Sequence, residues 1–297
     1  MTDKHAKRIR RAVEHELKQQ DLQREARALL KAQKRLQKLH AAKESAPEAV
    51  TIDPVPAPLI GPLHVACLIH GEAYDWTYVD RLYNAVCRNT SYEVIFHVFT
   101  EYSREVPTHM IKHDLVEWPD VHGPRKSWWY KMQIYNPAHH SGPLLYFDLD
   151  TVILKSIDWI PKLPIRYFWA SKDFRHLWRP MHRGINSSVM WWDTQRFDWM
   201  YKEFEKRSIY HLMKQFQGDQ DYVSELLTDR DLRYFPPNYT ASWRWQCLDG
   251  GMDFRTRKYL APNTGTQVDP QTSILIFHGS PKPHELLHDR VVKNFWQ

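Results

Sequence analysis

Short, almost unbroken apolar runs alternate with amphipathic stretches between residues 63 and 147. Leu63 to Ile69, Glu93 to Phe99 and Leu144 to Phe147 are rich in Val, Ile, Phe and Leu, and each predicts a strand buried on both faces. Leu115 to Trp118 predicts a further short strand. Between these runs, Asp80 to Arg88 places Leu82, Ala85 and Val86 on one side of a helix, and Trp128 to Tyr135 is helical up to Pro137. Strands and helices joined by short connections predict an α/β fold with a mainly parallel sheet and helices on both faces. After Asp158 the pattern is less regular. It gives strands at Phe168 to Ser171, Ser188 to Trp192 and Ile274 to Phe277, and helices at Arg196 to Lys206 and after Asp219.

The first 45 residues follow a different pattern. From Lys4 to Lys43 there is no Gly or Pro, and the strong helix formers Ala, Leu, Gln, Glu, Lys and Arg dominate. Leu22, Leu29 and Leu36 recur at sevens, a narrow stripe too short to establish a coiled coil. Residues 1–45 therefore read as a basic helical extension. Pro47, Pro54, Pro56, Pro58 and Pro62 mark 46–62 as a proline-rich linker, and the catalytic domain is expected over 63–297.

Charge follows the same division. Residues 1–50 hold 13 Lys and Arg against 7 Asp and Glu, while the other 247 of the 297 residues hold 28 of each. The whole net charge of +6 therefore sits in residues 1–50. Such a segment can pack on the core or on a second copy of the chain, contact DNA or an anionic membrane, or remain a solvated tail. Cys67, Cys87 and Cys247 are few, widely spaced and without a Cys-x-x-Cys pair, which argues for reduced thiols rather than a disulfide or zinc framework. The polar N-terminus has no signal-peptide core and no run is long enough to span a bilayer, so the expected location is cytoplasmic.

Candidate chemistry begins where the apolar pattern is broken. After the Gly142-Pro143 turn signal, the run Leu144 to Leu154 is interrupted by Asp148 and Asp150. Unpaired buried carboxylates are costly, so two need a cation, basic partners or hydrogen bonds. At spacing i, i+2 both point to one side of a regular strand, within reach of one hard cation. The plainer alternative is that Asp150 opens a turn and Asp148 caps a neighbouring backbone. In open α/β sheets ligands bind beyond the carboxyl ends of the strands, and both residues fall there.

Three later segments join this strand. They are Gly184-Ile185-Asn186-Ser187-Ser188-Val189-Met190, Gly218-Asp219-Gln220-Asp221-Tyr222-Val223 and Phe277-His278-Gly279-Ser280-Pro281-Lys282-Pro283. In this order and spacing, over about residues 63 to 290, the chain resembles the GT-A fold glycosyltransferases, most similar in pattern to the family of glycogenin and the lipopolysaccharide galactosyltransferases. The resemblance implies that Asp148, Asp150 and His278 hold manganese, or magnesium, on the diphosphate of a nucleoside diphosphate sugar. It implies a role for Lys282 at the leaving diphosphate, and for Asn186, Asp219 and Gln220 near the donor sugar. It further implies donor contacts from Lys131, with Arg125 and Lys126 as added phosphate contacts, and from His70, Gly71 and Tyr74 beneath the nucleotide. One departure from the pattern is that Gly279 directly follows His278.

Each assignment has a structural alternative: His278 as an ordinary buried histidine, Asn186 as part of a loop, Asp219 as the N-cap of a helix from Gln220 to Leu227, and Lys131 on a solvated helix face. The expected function is metal-dependent transfer of a hexose, from a UDP-sugar, to a hydroxyl acceptor. A saccharide or lipid-linked glycan is favoured over hydroxymethylated DNA, for which the basic extension would neutralise phosphates. Thirteen Trp and 15 Tyr fit a sugar or a base cleft equally. A metal-dependent hydrolase and a non-catalytic sugar binder are the alternatives of another class.

Overall fold

The apolar runs assemble into a seven-stranded sheet. β1 (Leu63–Leu68), β2 (Val94–Thr100), β3 (Ile111–Asp114) and β4 (Pro143–Phe147) pair in parallel in the order β3-β2-β1-β4. The sheet continues through β7 (Ile185–Asp193), which is antiparallel to β4, and β6 (Phe168–Lys172), which is antiparallel to β7, to β8 (Leu232–Tyr234). The computed structural model describes residues 59–122, 126–247, 252–253, 258–259 and 267–297. The expected helix at 1–45, the linker at 46–62 except for 59–62, and Arg125 lie outside the described residues.

Alternation along the strands sends neighbouring residues to opposite faces. Val65, Cys67, Leu145 and Phe147 pack with Val79, Leu82 and Val86 of α1 (Trp76–Arg88). The same layer takes in a smaller sheet of β5 (Thr151–Ile153), β12 (Ile274–Ile276) and β9 (Thr240–Ser242), in the order β5-β12-β9. On the opposite face Ala66, Leu144 and Tyr146 meet Trp129, Met132 and Ile134 of a 3₁₀ helix at Ser127–Tyr135. Met200 and Phe204 of α2 (Asp198–Glu205), Leu212 of α3 (Ile209–Gln215), and Tyr222 and Val223 of α4 (Asp219–Leu226) complete that layer. A short α5 (Arg290–Phe295) closes the chain, and β10 (Met252–Asp253) pairs with β11 (Lys258–Tyr259). Burying an aliphatic or Phe side chain such as Leu145 or Phe147 contributes ~1.5–3 kcal/mol, so both faces are strongly held.

Several boundaries differ from expectation. The helix expected from Asp80 begins at Trp76, because the Asp75 carboxylate accepts from the Thr77 N–H at 2.9 Å and caps it. The strand expected at Leu115 to Trp118 lies instead at Ile111–Asp114. Of Ile111–Asp114 only His113 is buried, so this edge strand carries no apolar run that would mark it in the sequence. Asp219 is not a cap: extended Gly218 holds that position, and Asp219 is the first residue of α4. Among the described residues no helix is long and apolar enough to cross a membrane. Cys67 and Cys247 are buried free thiols and Cys87 is exposed.

Candidate functional site

The strand directions gather the predicted residues at one sheet edge. β4 ends at Phe147, and the chain turns through Asp148 and Asp150 into β5. Because β7 runs the opposite way, its first residues rather than its last lie beside that turn: Phe147 pairs with Val189, and the Asp148 N–H donates to the Ser188 carbonyl at 2.8 Å. β6 runs in the same direction as β4, so Asp173, just past its end, falls on the same edge.

Lys131 is the electrostatic centre of the group. It is 8% exposed, and its ammonium lies 2.7 Å from Asp148 and 3.6 Å from Asp219, and donates to Ser187 Oγ at 3.1 Å. Burial alone would lower its pKa, but Asp148 and Asp219 outweigh this and raise it, so the lysine stays charged. Ser187 also donates to Asp219 at 3.0 Å, and the Tyr146 hydroxyl donates to Asp148 at 2.9 Å. Burial raises the Asp219 pKa, with the Lys131 ammonium opposing it.

Asp150 is 6% exposed and bonded to the Lys282 ammonium, while the Tyr74 hydroxyl donates to it at 3.0 Å. Its pKa is raised, first by burial, with Lys282 opposing and Asp148 adding to the rise. Lys282 also donates to the Phe277 carbonyl at 3.3 Å, which links Asp150 to the residue before His278. His278 itself stands apart from the two aspartates. Its ring stacks on Phe174 at 5.2 Å, and Nε2 lies 2.7 Å from Ser242 Oγ. Burial, with Arg244 and Lys282 nearby, pushes its pKa down to about 4.

Asp148 and Asp150 offer oxygens of the kind a divalent cation takes, though among the described residues they do not bring three ligand atoms within 4.8 Å of one another with Asp219 or His278. Three carboxylates, Asp148, Asp150 and Asp219, face two ammonium groups, which leaves excess negative charge. Asp148 Oδ2 and Asp150 Oδ1 take no hydrogen bond from the described residues. His278 is held neutral, as a ligand must be.

The remaining predicted residues form two groups. Gln220 accepts from Asn186 Nδ2 at 3.4 Å and from the Ser187 N–H at 3.2 Å, and its Nε2 donates to Asp173 at 3.2 Å. At the end of β1, Gly71 has φ +67° and its carbonyl accepts from Arg104 at 2.7 Å. A Cβ there would meet nothing within 4 Å, so this glycine is needed for its left-handed turn. The His70 ring packs 4.1 Å from Tyr130 and Nε2 lies 3.9 Å from Glu117. Lys126 donates to the Asp120 carbonyl at 3.4 Å, away from the aspartates.

Two residues were missed in the sequence. Asp173, 5% exposed, accepts from Arg175 and from His182, the latter at 3.0 Å, and holds Gln220 in place. Arg175 also pairs with Asp221 of α4 at 2.6 Å. The available signal was an Asp two residues beyond the strand expected at Phe168 to Ser171.

No protein-family model and no curated protein sequence matches the chain. Solved structures do resemble it. An active-site mutant of LgtC is 12% identical with a TM-score of 0.53, over 78% of this chain and 93% of that one. The galactosyltransferase LgtC in complex with donor and acceptor sugar analogs is 13% identical with a TM-score of 0.50, over the same shares, 78% and 93%. The glycosyltransferase GlyE of Streptococcus pneumoniae TIGR4 is 14% identical with a TM-score of 0.56, over 79% of this chain and 60% of that one. At such identities the likeness is one of fold: the chain has the GT-A fold of these glycosyltransferases.

Proposed function

We propose that the protein is a glycosyltransferase that moves a hexose from a UDP-sugar to the hydroxyl of a saccharide or lipid-linked glycan. The observation that carries this reading is the pair Asp148 and Asp150 at the ligand-binding edge of a GT-A sheet, each tied to its own lysine. In the transfer, the bond from the anomeric carbon to the diphosphate breaks, UDP leaves with the bonding electron pair, and the acceptor hydroxyl oxygen bonds to that carbon as its proton is released. Asp148 and Asp150, with His278 if it closes on them, would hold manganese or magnesium, which would supply positive charge for the leaving diphosphate. Lys282 brings a further positive charge beside Asp150. Asn186 and Gln220 offer amides fixed by hydrogen bonds for the sugar hydroxyls. Tyr74 is bound to Asp150 and so serves the carboxylate as well as the nucleotide.

A second reading, transfer to hydroxymethylated bases of DNA, draws on the concentration of all excess positive charge in residues 1–50. Donor cleavage tests the shared core of both. With manganese and a panel of UDP-sugars, release of UDP is expected from the wild type, and Asp148→Asn or Asp150→Asn is expected to lower it on the order of 100-fold or more. Full activity in both variants would sink the assignment. Hydrolysis of simple phosphate esters without a sugar nucleotide would support a hydrolase instead.

A further inference from the structure

Five histidines meet along the same strands. His64 lies near the start of β1, His97 in the middle of β2 and His113 in β3, with His139 and His140 in the segment that leads into β4. His64 precedes Val65, which pairs with Leu145, so it is level with Leu144, four residues before Asp148. At ~3.3 Å per residue, this puts it about 13 Å from the carboxylates.

Their contacts are close. His64 Nδ1 is 2.9 Å from His97 Nε2, and His97 Nδ1 is 2.8 Å from His113 Nε2. The His140 ring lies 4.4 Å from His64 and 5.1 Å from His97. One potential ligand nitrogen from each of His64, His97 and His140 lies within 4.8 Å of the other two. Among the described residues no other three His, Cys, Asp or Glu side chains come so close.

We propose that His64, His97 and His140 form a binding site for a zinc-class transition metal ion, separate from the carboxylate site. Three imidazoles without a carboxylate suit zinc, nickel or copper, whereas magnesium and manganese prefer oxygen. Around a tetrahedral ion with bonds near 2.1 Å, ligand nitrogens stand roughly 3.4 Å apart, a small adjustment of these side chains.

The hydrogen bonds assign the nitrogens. The Pro143 carbonyl can only accept, so His140 gives it the Nε2–H, at 3.1 Å, and keeps the Nδ1 lone pair. His97 can donate Nδ1–H to His113, which orients its ring and frees Nε2 for the ion. His64 frees Nδ1 by moving its proton to Nε2, so binding needs no net loss of a proton. Burial lowers the pKa of all three, which keeps them neutral, and the charged groups acting on the wider cluster are carboxylates, Asp114 on His113 and Asp193 on His140. His97 is 3% exposed, while His64 and His140 are half-buried and form the side open to entry and to a fourth ligand from solvent. An ion there would clamp β1, β2 and the entry to β4.

Calorimetric titration of tag-free, chelator-treated full-length protein with zinc chloride, without nucleotide, tests the site. About one equivalent is expected to bind with sub-micromolar affinity and to raise the thermal midpoint. His97→Ala removes a core side chain, so the decisive variants are His64→Asn and His140→Asn at the open side. Each is expected to weaken binding at least 100-fold while the metal-free midpoint stays near wild type. His288→Asn, at an exposed histidine, and Asp148→Asn are expected to leave zinc binding unchanged. Absence of binding to folded wild type, binding that survives in both open-side variants, or loss in Asp148→Asn would each overturn the proposal.

Discussion

Lys131 shows how much one side chain can decide. It is nearly fully buried and serves two carboxylates, Asp148 and Asp219, so its charge is balanced by more than one partner. Buried ion pairs contribute little net stability when complete, but removing one partner leaves an uncompensated charge that costs ~3–5 kcal/mol. Lys131→Met should therefore lower the unfolding free energy measured in urea by that order. Adding Asp219→Asn should recover part of the loss, because one stranded carboxylate is removed. Recovery in the double variant separates the electrostatic account from loss of packing alone. Asp148 and Asp150 were legible in the sequence because a carboxylate inside an apolar run contradicts its surroundings. Lys131 was not legible by this route: in Trp128-Trp129-Tyr130-Lys131 a lysine reads as a helix surface, and only the fold turns it toward β7.

Elements bring together what the sequence separates. The long apolar strands were legible because each buries both faces. Of the three-residue strands, β12 stood out as the apolar run Ile274 to Phe277, whereas β5, β8 and β9 are too short to show a period, and α5 is recognisable mainly through its cap, Asp289, which accepts from the Val291 N–H at 2.8 Å. Asp173 was hidden although β6 was expected, because its partners Arg175 and Gln220 come together only in the fold, where it joins the end of β6 to the first turn of α4. Burial raises the Asp173 pKa, but the hydrogen bonds from Arg175 and His182 outweigh it and hold the carboxyl below its usual 3.8. In that range the unfolded chain binds more protons than the native state, so stability falls as pH falls. The contribution is complete above pH 3.8 and is lost as pH drops through the lower folded value. Asp173→Asn is expected to cost about 2 kcal/mol at neutral pH, with the gap to wild type closing below pH 3.8 in acid denaturation. A gap independent of pH would assign the loss to shape rather than charge. The variant should also weaken donor binding, since one of the two carboxylate oxygens beside Gln220, Arg175 and His182 becomes an amide NH2.

On the scale of the whole molecule, fold and charge divide the chain in nearly the same place. Pro56–Gln297 forms one compact unit, which contains all three sheets and every described residue assigned to the donor. Residues 51–297 have equal numbers of acidic and basic side chains, whereas residues 1–50 carry the full +6. Chemistry at the donor and attraction to a polyanion should therefore be separable. Deletion of residues 1–50 is expected to leave manganese-dependent UDP release and the thermal midpoint of the remaining domain unchanged. The same deletion should reduce binding to duplex DNA and to anionic vesicles, together with its dependence on salt, since each phosphate neutralised contributes ~0.9 to the slope of log affinity against log salt. Comparing the two ligands then bears on the acceptor. A steep slope on DNA that disappears with the deletion, alongside transfer to hydroxymethylated bases only in the full chain, would favour the nucleic-acid reading over a glycan. Transfer to a saccharide at equal rates in both forms would place acceptor recognition within the folded domain, where the aromatic side chains lie, and leave the basic segment to docking.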